Sequence, residues 1–252
     1  MKLIWLCRAV VLGLALATSA AAEPRTDIVA AADYDAFWLW AGVTPPPVLA
    51  TAKTLYLLHG QVSAPIHATG PARLIAQGGS TPHLQASVPG RTAWIVYRAH
   101  TLDWPPAIYD QILAEWARWR AAGDPVVGIQ IDFDAHTRHL GDYARFLADL
   151  RKRLPPDCKL SITGLLDWSS QGDPTALEQL SGVVDEVVLQ TYQGRQTIPG
   201  YTAYLARLDR MKAPFKIGLV EGGEWTAPPR LATNPWFRGY VVFLTNPRRG
   251  GR

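Results

Sequence analysis

The stretch GIQIDFDAHT, residues 128–137, indicates the fold because it sets two carboxylates into an otherwise apolar run. Side chains alternate along a β-strand, so Gln130, Asp132 and Asp134 share one face and the apolar residues between them take the other. A charge inside a protein core is costly unless it is paired or used in chemistry. The stretch therefore predicts a strand whose apolar face packs against helices and whose polar face lines an interior site.

Seven other short apolar runs flank this strand, and together the runs predict a parallel sheet of eight strands. They are almost continuously apolar, as is typical of strands that are covered on both faces. In chain order, the predicted strands lie at residues 37–40, 55–58, 93–97, 126–133, 159–164, 184–191, 215–220 and 240–244.

Helical patterns lie between several of these strands. Pro105 and Pro106 open a segment in which apolar residues recur at four-residue spacing, and Gly123 follows its end. Further helices are predicted at residues 140–154, 175–180 and 201–211. The alternation of strands and helices predicts an α/β fold, and eight strands in a chain of this length fit a closed (β/α)8 TIM-like barrel.

The predicted barrel is irregular in its first half. Residues 59–91 contain much Gly, Pro, Ser and Thr and little helical periodicity, and no helical pattern follows the strand at 240–244. No repeat or linker divides the chain. Residues 23–252 are therefore predicted to form a single (β/α)8-barrel domain without a clear C-terminal helix.

The first 22 residues have the pattern of a secretory signal peptide. Lys2 and Arg8 come before an apolar run at 10–16, and small residues follow this run as far as Ala22. This run is short for a bilayer span of ~20 residues. We therefore expect a periplasmic or secreted protein with no transmembrane anchor in the mature chain. Cys158 would then be the single remaining cysteine, which excludes an intramolecular disulfide.

Composition narrows the possible partners. Apolar residues make up 48% of the chain, which excludes a disordered protein. No cluster of Lys and Arg interleaves with aromatic residues as it does in nucleic-acid grooves, so we expect no nucleic-acid partner. Ten tryptophans supply flat faces of the kind that pack on sugar rings. We expect a monomer that binds a polysaccharide or oligosaccharide and needs no cofactor.

The strand at 128–134 resembles the strand-four motif of the family 18 glycoside hydrolases, which are the chitinase-type barrels. Their pattern is D-G-x-D-x-D-x-E. When the motif is matched on Gly128, Asp132 falls on the last Asp and Asp134 falls where the catalytic Glu stands. Val127 and Gln130 replace the other two acids of the motif.

A second segment carries the same resemblance. Residues 190–193, QTYQ, are similar to the family's strand-six motif M-x-Y-D, with Tyr192 retained and Gln193 in place of the acid. The segments IDFD, 131–134, and LSITGLLDWS, 160–169, also look like the hallmarks of an exported bacterial family of unknown function. That family is grouped with the barrel-type glycoside hydrolases, which implies a fold but no established activity.

The resemblance to the chitinase type implies a role for three residues. Asp134 would be the general acid, Asp132 its partner, and Tyr192 a donor to the acyl oxygen of a substrate whose N-acetyl group attacks the sugar carbon. Because neighbouring carboxyls repel each other, one of them is expected to keep its proton near neutral pH, and we assign that proton to Asp134. Asp is one methylene shorter than Glu, which withdraws the acid by about 1.5 Å.

Other residues are candidates for contacts with the substrate. Acids and tryptophans follow the predicted fifth and seventh strands, where a barrel places its site. A second acid across the mouth from Asp134 would permit ordinary two-acid hydrolysis. The substrate-binding candidates are Gln130, Asp167, Trp168, Gln190, Glu221, Glu224 and Trp225.

Two alternatives remain open from the sequence. The barrel could bind sugars without catalysis, because both of its motifs depart from the family pattern. It could also be a metal-dependent polysaccharide deacetylase, since His136 and His139 directly follow the acid pair. The spacing of these histidines is unspecific, so we predict no metal ligand.

Overall fold

Eight parallel strands close into a barrel in the computed structural model, which describes residues 27–65, 69–77, 88–135, 137–208 and 211–246. The barrel strands are β1 Ala36–Leu39, β2 Thr54–Ser63, β3 Thr92–Ala99, β4 Val126–Asp132, β5 Lys159–Leu165, β6 Glu186–Gln190, β7 Phe215–Val220 and β8 Phe237–Leu244. Consecutive strands pair in parallel, and β8 pairs with β1. The predicted TIM-like barrel is confirmed, and the predicted signal peptide, residues 1–22, lies outside the described residues.

Helices lie mainly on one half of the barrel, as the sequence predicted. They are α1 Pro106–Ala121, α2 Leu140–Arg153, α3 Trp168–Gln171, α4 Pro174–Val183 and α5 Tyr201–Leu205. The fifth helix is shorter than the predicted 201–211, because the chain leaves it in turns while Leu208 and Met211 still pack into the core. No helix in the described part of the chain is both long and apolar enough to cross a bilayer.

The first half uses other elements in place of helices. A 3-10 helix, Pro47–Thr51, connects β1 to β2, and an antiparallel strand, Arg73–Ala76, pairs with the far end of β2. After β7, the strand Glu224–Trp225 pairs with Asp27–Ile28 on a separate small sheet. These short segments leave the barrel thinly covered on that side.

Two apolar layers form the core. The larger layer lies between the strands and the helices, and the smaller one fills the inside of the barrel. Trp38, Tyr56, Trp94 and Phe243 dominate the inside, and all four are buried. Strand alternation alone does not tell whether Trp38 faces inward or outward, and the structure places it inside.

Gly128 shows why the inner face of β4 begins with a residue that has no side chain. A Cβ atom at this position would lie 2.1 Å from the Lys159 carbonyl oxygen and 2.8 Å from the Trp94 ring. Any other residue would have to displace β5 backbone or a packed indole. Glycine therefore lets the ring of Trp94 fill the barrel beneath the polar residues of β4.

A polar network closes the amino-terminal end of the barrel. Tyr56 donates its hydroxyl proton to Glu186 Oε1 at 2.6 Å, and Ser161 Oγ donates to the same oxygen at 3.1 Å. Lys216 Nζ lies 3.4 Å from Glu186 Oε2. Burial and the neighbouring carboxylate raise the pKa of Tyr56 well above its usual value, which keeps its hydroxyl protonated.

Candidate functional site

A cavity of about 510 Å³ opens at the carboxyl ends of the strands. It is lined by Trp40, Arg98, Asp132, Asp134, Leu165, Gln190, Tyr192, Gln193, Gly194 and Ile198. These residues end or follow β1, β3, β4, β5 and β6, so five strands converge on one space. In barrels of this class, the carboxyl end is where active sites lie.

Asp132 forms the inner wall of the cavity at the last residue of β4. Its side chain is 3% exposed, and Thr163 Oγ1 on β5 donates to its Oδ1 at 2.7 Å. Burial raises the pKa of Asp132, Asp134 raises it further, and Thr163 and Arg98 oppose the rise. Asp132 therefore binds a proton more readily than an ordinary aspartate does.

Asp134 lies two residues farther, past the end of the strand, and its side chain is 57% exposed. Its Oδ2 accepts a hydrogen bond from Arg98 Nη2 at 3.3 Å. The two acids thus line the same cavity in different settings, one buried and one paired with a cation. We predicted from the sequence that Asp134 retains a proton. In the structure, Asp132 is the desolvated member of the pair, and burial raises its pKa.

Arg98 is the residue of the site that sequence reasoning missed. It lies on β3 directly beside Asp132 in the strand register, and its Nε is 3.8 Å from Asp132 Oδ2. Its guanidinium carbon also lies 5.3 Å from the centre of the Trp40 ring. A cation at the carboxyl end of an apolar strand was the available signal, since it marks the end of a strand that opens onto a barrel mouth.

Tyr192 faces the acids from the loop after β6. Its hydroxyl is buried and has no hydrogen-bond partner among the described residues, and its ring packs 4.9 Å from the ring of Phe243. Burial raises the pKa of Tyr192 well above its usual value, and the two nearby carboxylates add to the rise. The hydroxyl therefore stays protonated, and it can donate a hydrogen bond to a ligand.

Backbone contacts hold Tyr192 in place. The preceding Thr191 bonds the Gly218 carbonyl on β7 twice, through its amide at 3.0 Å and its hydroxyl at 2.8 Å. A short antiparallel hairpin, Tyr192–Gln193 with Gln196–Thr197, then projects over the mouth. The hairpin turns at Gly194, whose φ of 61° favours glycine.

Asn246 ties three rim loops together. Its Oδ1 accepts from the Thr44 amide at 3.0 Å, and its Nδ2 donates to the Gly42 carbonyl at 3.1 Å. Its own carbonyl accepts from Arg195 Nη2 at 2.8 Å. The loops that follow β1, β6 and β8 are therefore linked at one edge of the cavity.

The two glutamines proposed as substrate contacts lie in different places in the structure. Gln190 ends β6 and lines the cavity, and its contact with substrate stays a prediction. Gln130 is fully buried below it, with its amide oxygen bonded to Trp38 and its amide nitrogen bonded to Ser161. The proposal that Gln130 contacts substrate is therefore corrected, because its amide is used inside the barrel.

The candidates after β5 lie behind the cavity. Trp168 is 1% exposed and packs over Gly164 on the outer side of β5, so it offers no face to a sugar. Its Nε1 donates to the Ala135 carbonyl at 2.8 Å, which fixes the chain immediately after Asp134. Asp167 precedes α3 and is not among the residues that line the cavity.

The candidates after β7 lie outside the cavity lining as well. Trp225 is buried and stacks on Tyr201, with ring centres 4.8 Å apart. Glu224 is exposed on the small sheet with Asp27–Ile28, and Glu221 is not among the residues that line the cavity. The prediction that Trp225 contacts substrate is corrected, because the chain after Gly222 and Gly223 turns to the outside of the barrel.

The ten residues that line the cavity include two carboxylates, Asp132 and Asp134. No histidine is among these ten residues, and no group of three or more His, Cys, Asp or Glu that could hold a metal ion occurs in the described ranges. His139 is exposed, 3.6 Å from Asp142, and His136 lies outside the described residues. The metal-dependent alternative thus gains no ligand group from the part of the chain that the structure describes.

Several solved structures are similar to this one. The complex of xylanase-α-amylase inhibitor protein XAIP-I with trehalose is 10% identical, with a TM-score of 0.51 over 83% of this chain and 93% of that one. XAIP-II from Scadoxus multiflorus is 11% identical, with a TM-score of 0.50 over 83% and 92%. The chitinase domain of spore coat protein CotE from Clostridium difficile is 13% identical, with a TM-score of 0.48 over 82% and 68%.

No curated protein sequence is significantly similar to this chain. The model of a domain of unknown function, DUF3142, matches residues 99–201. The matched segment includes both acids of the cavity and Tyr192, and it begins one residue after Arg98. The match to the DUF3142 model therefore falls on residues 99–201, and the similarity to the XAIP structures agrees with the TIM-barrel fold.

Proposed function

We propose that this protein is an exported glycoside hydrolase-like barrel that binds a polysaccharide or oligosaccharide in the mouth cavity and hydrolyses a glycosidic bond. The observation that carries the proposal is the convergence of Asp132, Asp134 and Tyr192 on one cavity. Two carboxyls and a phenol that keeps its proton are the groups that acid-assisted sugar chemistry needs.

In the proposed mechanism, Asp134 donates a proton to the glycosidic oxygen. The carbonyl oxygen of the substrate's N-acetyl group bonds to the anomeric carbon as the glycosidic bond breaks, and Tyr192 donates a hydrogen bond to that carbonyl oxygen. Water then attacks the anomeric carbon, the bond from the carbonyl oxygen to that carbon breaks, and a proton of the water passes to Asp134. This route fits the cavity because its lining offers no third carboxylate to serve as a separate base or nucleophile.

Asp132 would support Asp134 in this scheme. Its hydrogen bond from Thr163 fixes its orientation, and its raised pKa lets it share a proton with a neighbouring acid. Trp40 would supply a flat surface for a sugar ring at the cavity wall. These side chains come from β1, β4 and β5, so the rigid barrel sets the spacing of the groups.

The test is a reducing-end assay on the mature protein with chitin oligosaccharides and neutral polysaccharides. Asp134→Asn should abolish the release of reducing ends, because the amide has no acidic proton to give. Asp35→Asn is the matched control, since Asp35 has the same 57% side-chain exposure and pairs with Lys53 before β1. Release by Asp134→Asn at the wild-type rate would remove Asp134 from catalysis.

A second candidate function is carbohydrate binding without hydrolysis. Two observations favour it: the acid at position 134 is shorter than Glu, and its carboxylate is held by Arg98. Calorimetric titration of wild-type protein with the same saccharides separates the two functions. Binding without release in the assay would support this candidate over the hydrolase.

A further inference from the structure

Arg98 is the one cationic side chain among the ten residues that line the cavity. Its side chain is 30% exposed, and its guanidinium lies over the ring of Trp40. A neutral sugar requires no cation for binding, since its hydroxyl groups can bond to amides and carboxylates. The presence of a guanidinium in the cavity therefore calls for an explanation from the ligand or from the neighbouring acids.

The neighbouring acids accept few of the hydrogen bonds that Arg98 can donate. A guanidinium has five N–H donors in a planar fork. One of them reaches Asp134 Oδ2, at the long distance of 3.3 Å, and the approach of Nε to Asp132 at 3.8 Å is beyond hydrogen-bond range. Nη1 of Arg98 has no hydrogen-bond partner within the described ranges. A residue that served the acids alone would pair with a carboxylate through two bonds.

We propose, on the basis of the function proposed above, that the substrate carries a carboxylate on the sugar that lies against Trp40, and that Arg98 binds this group through its free donors. A carboxylate matches the planar fork in a bidentate manner. Trp40 would contact the sugar ring while Arg98 holds its acidic group. The substrate class is thus an acidic, N-acetylated oligosaccharide.

The test is calorimetric titration near pH 6 with three probes: hyaluronan hexasaccharide, the same oligosaccharide with its carboxyls methyl-esterified, and chitohexaose. Wild-type protein should bind the acid roughly 10- to 100-fold more tightly than its ester, as is typical of one charge-assisted pair. Arg98→Gln should bind the two alike, and Arg98→Lys should retain part of the preference. Arg120→Gln is the control, since Arg120 pairs with Asp157 on the surface.

The outcomes separate this inference from the function on which it rests. Equal binding of acid and ester by the wild-type protein would overturn the inference and leave carbohydrate binding standing. An equal loss of both ligands in Arg98→Gln would assign Arg98 to the support of the acids and would also overturn it. Failure of all three probes to bind would overturn the proposed function together with the inference.

Discussion

Trp38 Nε1 donates to Gln130 Oε1 at 2.7 Å across the inside of the barrel, between residues 92 positions apart in the chain. Gln130 Nε2 then donates to Ser161 Oγ at 2.9 Å. These two bonds link β1, β4 and β5 directly beneath the cavity. They form a rigid floor on which Asp132, two residues after Gln130, is positioned.

Replacing Gln130 with Leu should lower the free energy of unfolding by about 2–4 kcal/mol. The substitution leaves the buried Trp38 N–H without an acceptor and removes a bond to Ser161, and an unpaired buried polar group costs roughly 1–3 kcal/mol. Urea unfolding followed by Trp fluorescence measures the change. Gln111→Leu, at an exposed position of α1, is the control and should shift stability by less than about 0.5 kcal/mol. An unchanged urea midpoint for Gln130→Leu would contradict a structural role for this network.

Replacing Asp132 with Asn should stabilise the protein at pH 7 and have little effect in acid. The pKa of Asp132 is raised above 3.8, so the folded state holds the proton more tightly than the unfolded chain does. Its contribution to stability is therefore present below pH 3.8 and is lost as the pH rises through the raised pKa. An amide resembles the protonated acid, so we expect Asp132→Asn to raise the free energy of unfolding at pH 7 and to leave it nearly unchanged below pH 3.8.

Urea unfolding at several pH values measures this effect. Asp35→Asn is the control, since the Asp35 carboxylate is exposed on the surface. A stability difference for Asp132→Asn that did not change with pH would show that burial of the charge is not the cause. A variant less stable than wild type at pH 7 would reverse the expected sign.

Replacing Tyr192 with Phe should weaken carbohydrate binding and leave the fold intact. The Tyr192 hydroxyl is buried without a partner among the described residues, so its removal should leave stability unchanged or raise it by up to about 1 kcal/mol. Binding should weaken roughly 3- to 10-fold with the loss of one hydrogen bond. Tyr143→Phe is the comparison, because the Tyr143 hydroxyl donates to the Ile131 carbonyl at 3.3 Å and its removal should destabilise the protein. Equal losses of stability in the two variants would mean that Tyr192 is a structural residue.

Replacing Trp40 with Ala should weaken saccharide binding roughly 5- to 10-fold, since the variant loses the aromatic surface of the cavity. Trp236→Ala is a matched control, because Trp236 is also partly buried but precedes β8, at the amino end of the barrel. Fluorescence titration with chitohexaose measures both variants. Similar losses of affinity in both would argue against a sugar surface at Trp40.

Local patterns explain why β4 was predicted well. Strand periodicity is a property of neighbouring residues, so the alternation in 128–134 was enough to place Gln130 and Asp132 on the inner face. The same alternation puts Trp38 and Trp40 on one face of the strand at 37–40, but it does not say which face points inward. That choice depends on the bond from Trp38 to Gln130, which the chain pattern does not contain.

Residues in the loops were harder to place. Trp168 and Trp225 follow strand ends, as substrate-binding residues do, yet both are buried against other parts of the chain. Each packs against a partner that the local pattern did not identify, Gly164 for Trp168 and Tyr201 for Trp225. A tryptophan gains more free energy from burial than most residues, so a loop tryptophan packs wherever the fold leaves apolar space.

The sequence by itself determined eight buried strands, the order of strands and helices, and the place of Asp132 on the inner face of β4, because these follow from the spacing of apolar and polar residues over short distances. Only the tertiary structure decided which side chains close the cavity and how its charges are paired. Arg98 meets Asp134 across 36 residues through the pairing of β3 with β4. Burial and charge pairing depend on strand register and depth in the barrel, and these are set by contacts between distant segments.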